Sequence, residues 1–122
     1  MSTIAERARY LLDRIATLEA RHGRAPGSVT LVGISKTHPA GRVREAYAAG
    51  LSQFGESYVQ EALPKIEALA DLPLTWHFVG RIQGNKTAAI AAGFAWVHGI
   101  DRLRIAQRLD EQRPAGLPPL DC

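Results

Sequence analysis

Val29-Thr30-Leu31-Val32-Gly33-Ile34-Ser35-Lys36 is the stretch that decides how this chain is read. It is mostly apolar, rich in β-branched residues, ends on a single lysine and is stopped by Thr37-His38-Pro39. A near-continuous apolar strand is what a parallel sheet covered on both faces requires. Side chains alternate along a strand, so Thr30, Val32, Ile34 and Lys36 are expected on one face and Leu31, Gly33 and Ser35 on the other. Lys36 is then an amine at a strand's carboxyl end, where α/β folds place their chemistry.

Upstream of this strand, residues 3–22 read as an amphipathic helix. Thr3 and Glu6 make a capping box, and Ile4, Ala8, Leu11, Leu12, Ile15 and Leu18 recur at helical spacing. Gly23 supplies the left-handed stop. Downstream, Pro39 opens a second helix, and Leu51–Glu56 reads as the second strand. Residues 58–70 read as a helix through Val59, Ala62, Leu63, Ile66 and Leu69, with Pro64 expected to kink or restart it. Leu74–Val79 is the third strand, ended by Gly80. Residues 85–92 form a short Ala-rich helix with Asn85 as its N-cap. Phe94–Ile100 is the fourth strand, and Asp101 caps a last helix that Pro114 ends.

One helix followed by four strand–helix units, with strand ends near Lys36, Ser57, Gly80 and Asp101, implies an α/β fold. Its sheet is parallel and its crossovers right-handed. A doubly wound sheet and a (β/α)8 barrel of the TIM type both satisfy the pattern. No Gly-x-Gly-x-x-Gly fingerprint follows the first strand, which weakens the dinucleotide-binding version. Four units make half a barrel, since a complete one takes ~250 residues. A fifth strand could start at Pro119-Leu120-Asp121-Cys122, and an open half-barrel leaves strand edges exposed. Residues 1–122 are therefore expected to be a single domain, the amino-terminal portion of a longer protein.

The formal net charge is +3, but the arginines are scattered, which reads as solvated helix faces rather than a nucleic-acid surface. The one cysteine, Cys122, excludes a disulfide framework or a cysteine metal site within the chain. Met1-Ser2-Thr3-Ile4-Ala5-Glu6-Arg7 lacks the apolar core of a signal peptide, and no apolar run is long enough to span a bilayer. A cytoplasmic setting with no membrane partner is expected.

Lys36 is the sharpest candidate for chemistry. An ammonium on an inward strand face is costly to desolvate, which makes free amine available to condense with an aldehyde or ketone, pyridoxal phosphate included. The plain alternative is a lysine whose stem crosses the rim and whose charge stays in water. Phe54-Gly55-Glu56-Ser57-Tyr58-Val59-Gln60-Glu61 sets polar groups just past the second strand. There Glu56 could pair with a cation at the barrel mouth and Ser57 could donate to a ligand oxygen, or both could simply favour a helix N-terminus. Gly80-Arg81-Ile82-Gln83-Gly84-Asn85-Lys86-Thr87 fails the P-loop pattern, because Asn85 stands where the second glycine belongs. His22, His38, His77 and His98 show no i,i+4 pair, so no zinc site is expected. His77 and His98 lie on neighbouring strands and could face each other inside a barrel. No Ser-His-Asp set follows from spacing.

Gly33-Ile34-Ser35-Lys36-Thr37, the Phe54–Glu61 stretch, Trp76-His77-Phe78-Val79-Gly80 and Gln83-Gly84-Asn85-Lys86 resemble motifs of the YggS-like pyridoxal-phosphate homeostasis proteins. Ile100-Asp101-Arg102 and Gln112-Arg113-Pro114 fit the same pattern. The resemblance is collinear over essentially the whole chain, although family members run to about twice this length, as a whole barrel would. It implies the barrel of the alanine racemase amino-terminal domain, and pyridoxal 5'-phosphate held as a Schiff base on Lys36. Glu56, Ser57 and His77 are its expected neighbours in the cofactor-binding set, and no catalytic residue or metal is implied. The family is thought to buffer or deliver the cofactor without an established turnover reaction. An amino-acid racemase-like enzyme on the same barrel is the alternative, although no second acid/base is identifiable, and an inactive truncated fragment is a further one.

Two departures stand out: Ser57 where the family usually has asparagine, and Gly99 where a Ser or Thr commonly precedes the Ile/Val-Asp pair. The resemblance places the phosphate-binding groups and the arginine facing the pyridine nitrogen on the last strands, beyond Cys122. Losing two charge-assisted bonds of ~1.5–3 kcal/mol each would weaken binding by roughly two to four orders of magnitude. The 122-residue chain alone is therefore expected to bind the cofactor poorly.

Overall fold

In the computed structural model, which describes residues 3–122, the first helix, α1, runs over Ile4–Arg21. The expected capping box closes its start. Thr3 Oγ1 accepts from the Glu6 amide and Glu6 Oε2 accepts from the Thr3 amide, both at 3.1 Å. Past the other end, Gly23 takes a φ of 69°, the left-handed turn that glycine adopts without a steric penalty.

Four strands follow: β1 (Gly33–Ile34), β2 (Gln53–Glu56), β3 (Thr75–Val79) and β4 (Trp96–His98). Between them lie α2 (Ala40–Ala48), α3 (Val59–Ala68) and α4 (Thr87–Gly93), and α5 (Leu103–Gln112) comes after β4. A single 3-10 turn over Gly84–Lys86 leads into α4. Every strand pair is parallel and the order is β1-β2-β3-β4. Right-handed crossovers that always step the same way leave all their helices on one face, whereas a doubly wound sheet reverses direction at a switch point. Strand order thus separates the two topologies that the sequence allowed, and the structure is an arc of a parallel α/β barrel whose sheet is not closed. Asp121 extends the arc where a fifth strand was expected. The Val97 amide donates to its carbonyl at 2.9 Å, and its own amide donates to the Ala95 carbonyl at 3.0 Å.

The core lies between the sheet and this helical layer. Phe54, Trp76, Phe78 and Val97 present one face of β2, β3 and β4 to Val43, Ala62, Ile90, Ile105 and Leu109 of the helices. Each of the larger aliphatic and phenylalanine side chains among these contributes about 1.5–3 kcal/mol on burial. The opposite face carries Ile34, Gln53, Gly55, His77, Val79, Trp96 and His98. Among the described residues no helix covers it, and Ile34 is 49% exposed.

Several local expectations are corrected. The first strand is two residues long, not eight, because β1 is an edge strand hydrogen-bonded to β2 alone. Helix α3 runs through Pro64 without restarting, since the buried Val59, Ala62 and Lys65 hold it against the one backbone bond that proline removes. Asn85 lies inside the 3-10 turn, and the residue that caps α4 is Lys86. Arg102, not Asp101, stands at the N-cap of α5. Among the described residues no helix is long and apolar enough to cross a membrane.

Candidate functional site

The carboxyl ends of the strands form one rim. The chain leaves β1 through a turn at Ser35, Lys36 and Thr37 before Pro39 caps α2. The paired register ends at Ile34 and Gly55, and Lys36 and Ser57 lie just past the carboxyl ends of β1 and β2. Lys36 is exposed, and among the described residues no carboxylate lies within ion-pair distance of it. The expectation of a strand continuing to a dry, inward-facing lysine is therefore corrected: Lys36 sits in the turn, with its amine unengaged.

The residues on either side of Lys36 are both hydrogen-bonded. The Ser35 amide donates to the Gly55 carbonyl at 2.9 Å. Its hydroxyl donates to Glu56 Oε2, and its carbonyl accepts from Lys65 Nζ at 2.9 Å. Lys65 Nζ also lies 2.8 Å from Glu56 Oε2 and 3.2 Å from Glu61 Oε1. The Thr37 amide donates to that same Glu61 oxygen. Alternation explains the grouping, since Glu56 shares the helix-covered face of β2 with Phe54 and meets Lys65 from α3 there. Glu56 does pair with a cation, but in the layer between sheet and helix rather than at the open mouth. The Thr37 amide holds the Glu61 carboxyl below the usual carboxylate range, and Lys65 adds to the effect.

A second polar set crosses the uncovered face. His77 Nε2 lies 2.7 Å from Gln53 Oε1, and His77 Nδ1 lies 2.9 Å from His98 Nε2. With Gln53 Oε1 accepting, Nε2 of His77 carries its proton and Nδ1 accepts from His98 Nε2–H, a set that two neutral rings satisfy. Burial pushes the His77 imidazole below its ordinary value, and the neighbouring His98 pushes it the same way. Trp96 stacks on both rings at centroid distances of 5.6 Å and 5.8 Å. Gly55 keeps the centre of this face shallow, because a Cβ there would meet Ile34 Cδ1 at 2.7 Å and Val79 Cγ2 at 3.0 Å.

Ser57 opens a cleft of about 290 Å³ at the rim, shared with Tyr58, Phe78, Arg81, Gln83 and Lys86. The Gly99 departure has a structural account. Gly99 leaves β4 at a φ of 121°, and a Cβ on it would fall 2.5 Å from the Gly80 carbonyl oxygen. Of the four expected site residues, Lys36 and Ser57 lie along the rim, His77 lies on the uncovered face, and Glu56 lies in the helix-side layer. Sequence reading missed Lys65, Glu61, Thr37 and Gln53. The i,i+4 spacing of Glu61 and Lys65 was a readable signal, whereas nothing local pointed from either of them to Thr37.

A scan against protein-family models gives no match. Among curated proteins, the chain is 61% identical over 121 residues to the pyridoxal phosphate homeostasis protein of Pseudomonas aeruginosa, covering 99% of this chain and 53% of that one. The protein of the same name from Escherichia coli strain K12 is 48% identical over 124 residues, with 99% and 53% covered. Among solved structures, PipY, the COG0325 family member of Synechococcus elongatus PCC7942, with PLP bound, matches with a TM-score of 0.69 at 46% identity. That match covers 83% of this chain and 47% of PipY. A protein of unknown role from Bifidobacterium adolescentis matches with a TM-score of 0.78 at 26% identity, over 89% of this chain and 49% of that one. The chain spans about half the length of the curated relatives it matches.

Proposed function

We propose that the chain, which spans about half the length of the pyridoxal phosphate homeostasis proteins it matches, is the corresponding part of such a protein and forms one wall of a pyridoxal 5'-phosphate site. Its part is to hold the cofactor in the cytoplasm, joined to Lys36 as a Schiff base. The observation that carries this reading is a primary amine on the rim of a parallel α/β arc, free of any carboxylate, between two residues whose backbone is pinned.

The donor set fits the group. An aldehyde needs an amine that is not locked in an ion pair, and Lys36 provides one. Ser57 brings a hydroxyl to the same rim, and the His77 ring lies on the uncovered face with a depressed proton affinity. Glu56 acts at one remove, through Ser35 and Lys65. When bound, the cofactor supplies an aldehyde and a pyridine ring able to take up electrons. The residues described here bind and orient it. Residues 1–122 are in this reading a single domain, part of a longer barrel.

The test is an absorbance titration with pyridoxal 5'-phosphate, using the chain extended to the full length of its relatives. The Schiff-base band forms in the parent protein and is absent from Lys36→Ala. A band of unchanged strength in that variant overturns the assignment.

A further inference from the structure

We propose, resting on the Lys36 reading above, that Glu61 and Lys65 are positioning residues that hold the turn at Lys36 in the shape its amine needs to react with an aldehyde. Three observations converge on this. Ser35, just before Lys36, has its amide, hydroxyl and carbonyl all committed: to the Gly55 carbonyl, to Glu56 and to Lys65. Thr37, just after it, has its amide committed to Glu61. A single ammonium, Lys65 Nζ, then joins the two clamps, at 2.8 Å from Glu56 and 3.2 Å from Glu61.

The backbone shows what the clamps hold. Thr37 adopts a φ of 67° and is the non-glycine residue with positive φ among the described residues. A β-branched residue in the left-handed region is an outlier that persists only where its surroundings over-determine it. Here the Glu61 carboxylate is the group that does so. Lys36 therefore has a fixed main chain on both sides and an unengaged side chain.

Stability is a weak reason for burying this arrangement. Replacing a buried ion pair with apolar residues of similar volume is often neutral or stabilising, yet here two carboxylates and an ammonium converge beside one exposed lysine. Orientation of that lysine is a sufficient reason. In the reaction, the neutral amine adds to the aldehyde carbon, a C=N bond replaces C=O, and the oxygen leaves as water with both amine hydrogens. Holding the amine's main chain in one geometry raises the rate of such an addition by lowering the entropy lost on the way to it.

The chain has three lysines, Lys36, Lys65 and Lys86, so Lys86 serves as an internal reference. The chain extended to the full length of its relatives is treated with excess pyridoxal 5'-phosphate and cyanoborohydride, and the rate of labelling at Lys36 and at Lys86 is read by peptide mass spectrometry. In the parent chain Lys36 is labelled faster than Lys86. Glu61→Ala, at a side chain one-third exposed, lowers the Lys36-to-Lys86 ratio about fivefold or more. Glu61→Gln, which keeps an oxygen for the Thr37 amide, restores most of it. Thr37→Gly frees the turn without touching a charge and lowers the ratio too. Arg44→Ala, which breaks the exposed Arg44–Asp71 pair, leaves it unchanged. If the ratio holds in Glu61→Ala and Thr37→Gly while the parent still prefers Lys36, the positioning role is overturned and the Lys36 reading stands. If the parent itself shows no preference for Lys36, the Lys36 reading fails and this inference fails with it.

Discussion

Lys65 carries an ammonium whose side chain is 6% exposed, against a Glu56 carboxylate that is fully buried. Desolvating such ions costs several kcal/mol each, and only close partners on every side offset it. Lys65 has three: Glu56, Glu61 and the Ser35 carbonyl. Lys65→Met removes the counter-charge and strands Glu56, so urea unfolding should show a loss of about 3–5 kcal/mol. Glu56→Gln in the same molecule should recover a large part, because the stranded charge is then gone. A loss under about 1 kcal/mol in Lys65→Met would mean that the pair behaves as a solvated one. At this scale the sequence was half legible. Glu56 was picked out by its place at a strand end and a cationic partner was foreseen. That partner could not be named, because Lys65 reaches Glu56 only once α3 folds back over β2.

Strands β2, β3 and β4 are tied across their uncovered face by Gln53, His77 and His98, with Trp96 stacked on the two imidazoles. His77 titrates below its ordinary value near 6.5 because burial disfavours the imidazolium and His98 lies against it. The unfolded chain therefore takes up a proton that the folded chain refuses. This contribution to stability is complete above about pH 6.5 and is lost as pH falls below it. Thermal melts from about pH 7.5 down to about pH 5.5 should show a falling midpoint that flattens in His77→Asn. Equal slopes in the two proteins would contradict the ladder. The carboxylates held low by hydrogen bonds, Glu19, Glu61 and Asp71, lose their share only in the more acidic carboxylate range. The facing of His77 and His98 was legible from their places on neighbouring strands. Element lengths were less so. The Thr3–Glu6 box announced α1 because both partners are local, while β1 shrank because pairing, not composition, defines a strand. Asp101 and Asn85 have capping chemistry, yet the turns before α4 and α5 set the caps elsewhere.

For the whole molecule, strand order carries the most meaning. The order β1-β2-β3-β4, with Asp121 pairing beyond β4, bends one layer of helices around one face and leaves the other uncovered. That geometry brings the strand ends, and with them Lys36 and Ser57, onto a single rim. The repeated strand–helix pattern was readable from the sequence, but the choice between barrel and doubly wound sheet was not, since both share the same local signals and differ only in which strands become neighbours. In the proposed reading, the amine on this rim is the one that receives the cofactor. Its most direct test is borohydride reduction of the chain extended to its relatives' full length, saturated with pyridoxal 5'-phosphate, followed by peptide mapping. A phosphopyridoxyl group is expected on the peptide containing Lys36; finding it on Lys86 or another lysine, with Lys36 unmodified, would contradict that assignment.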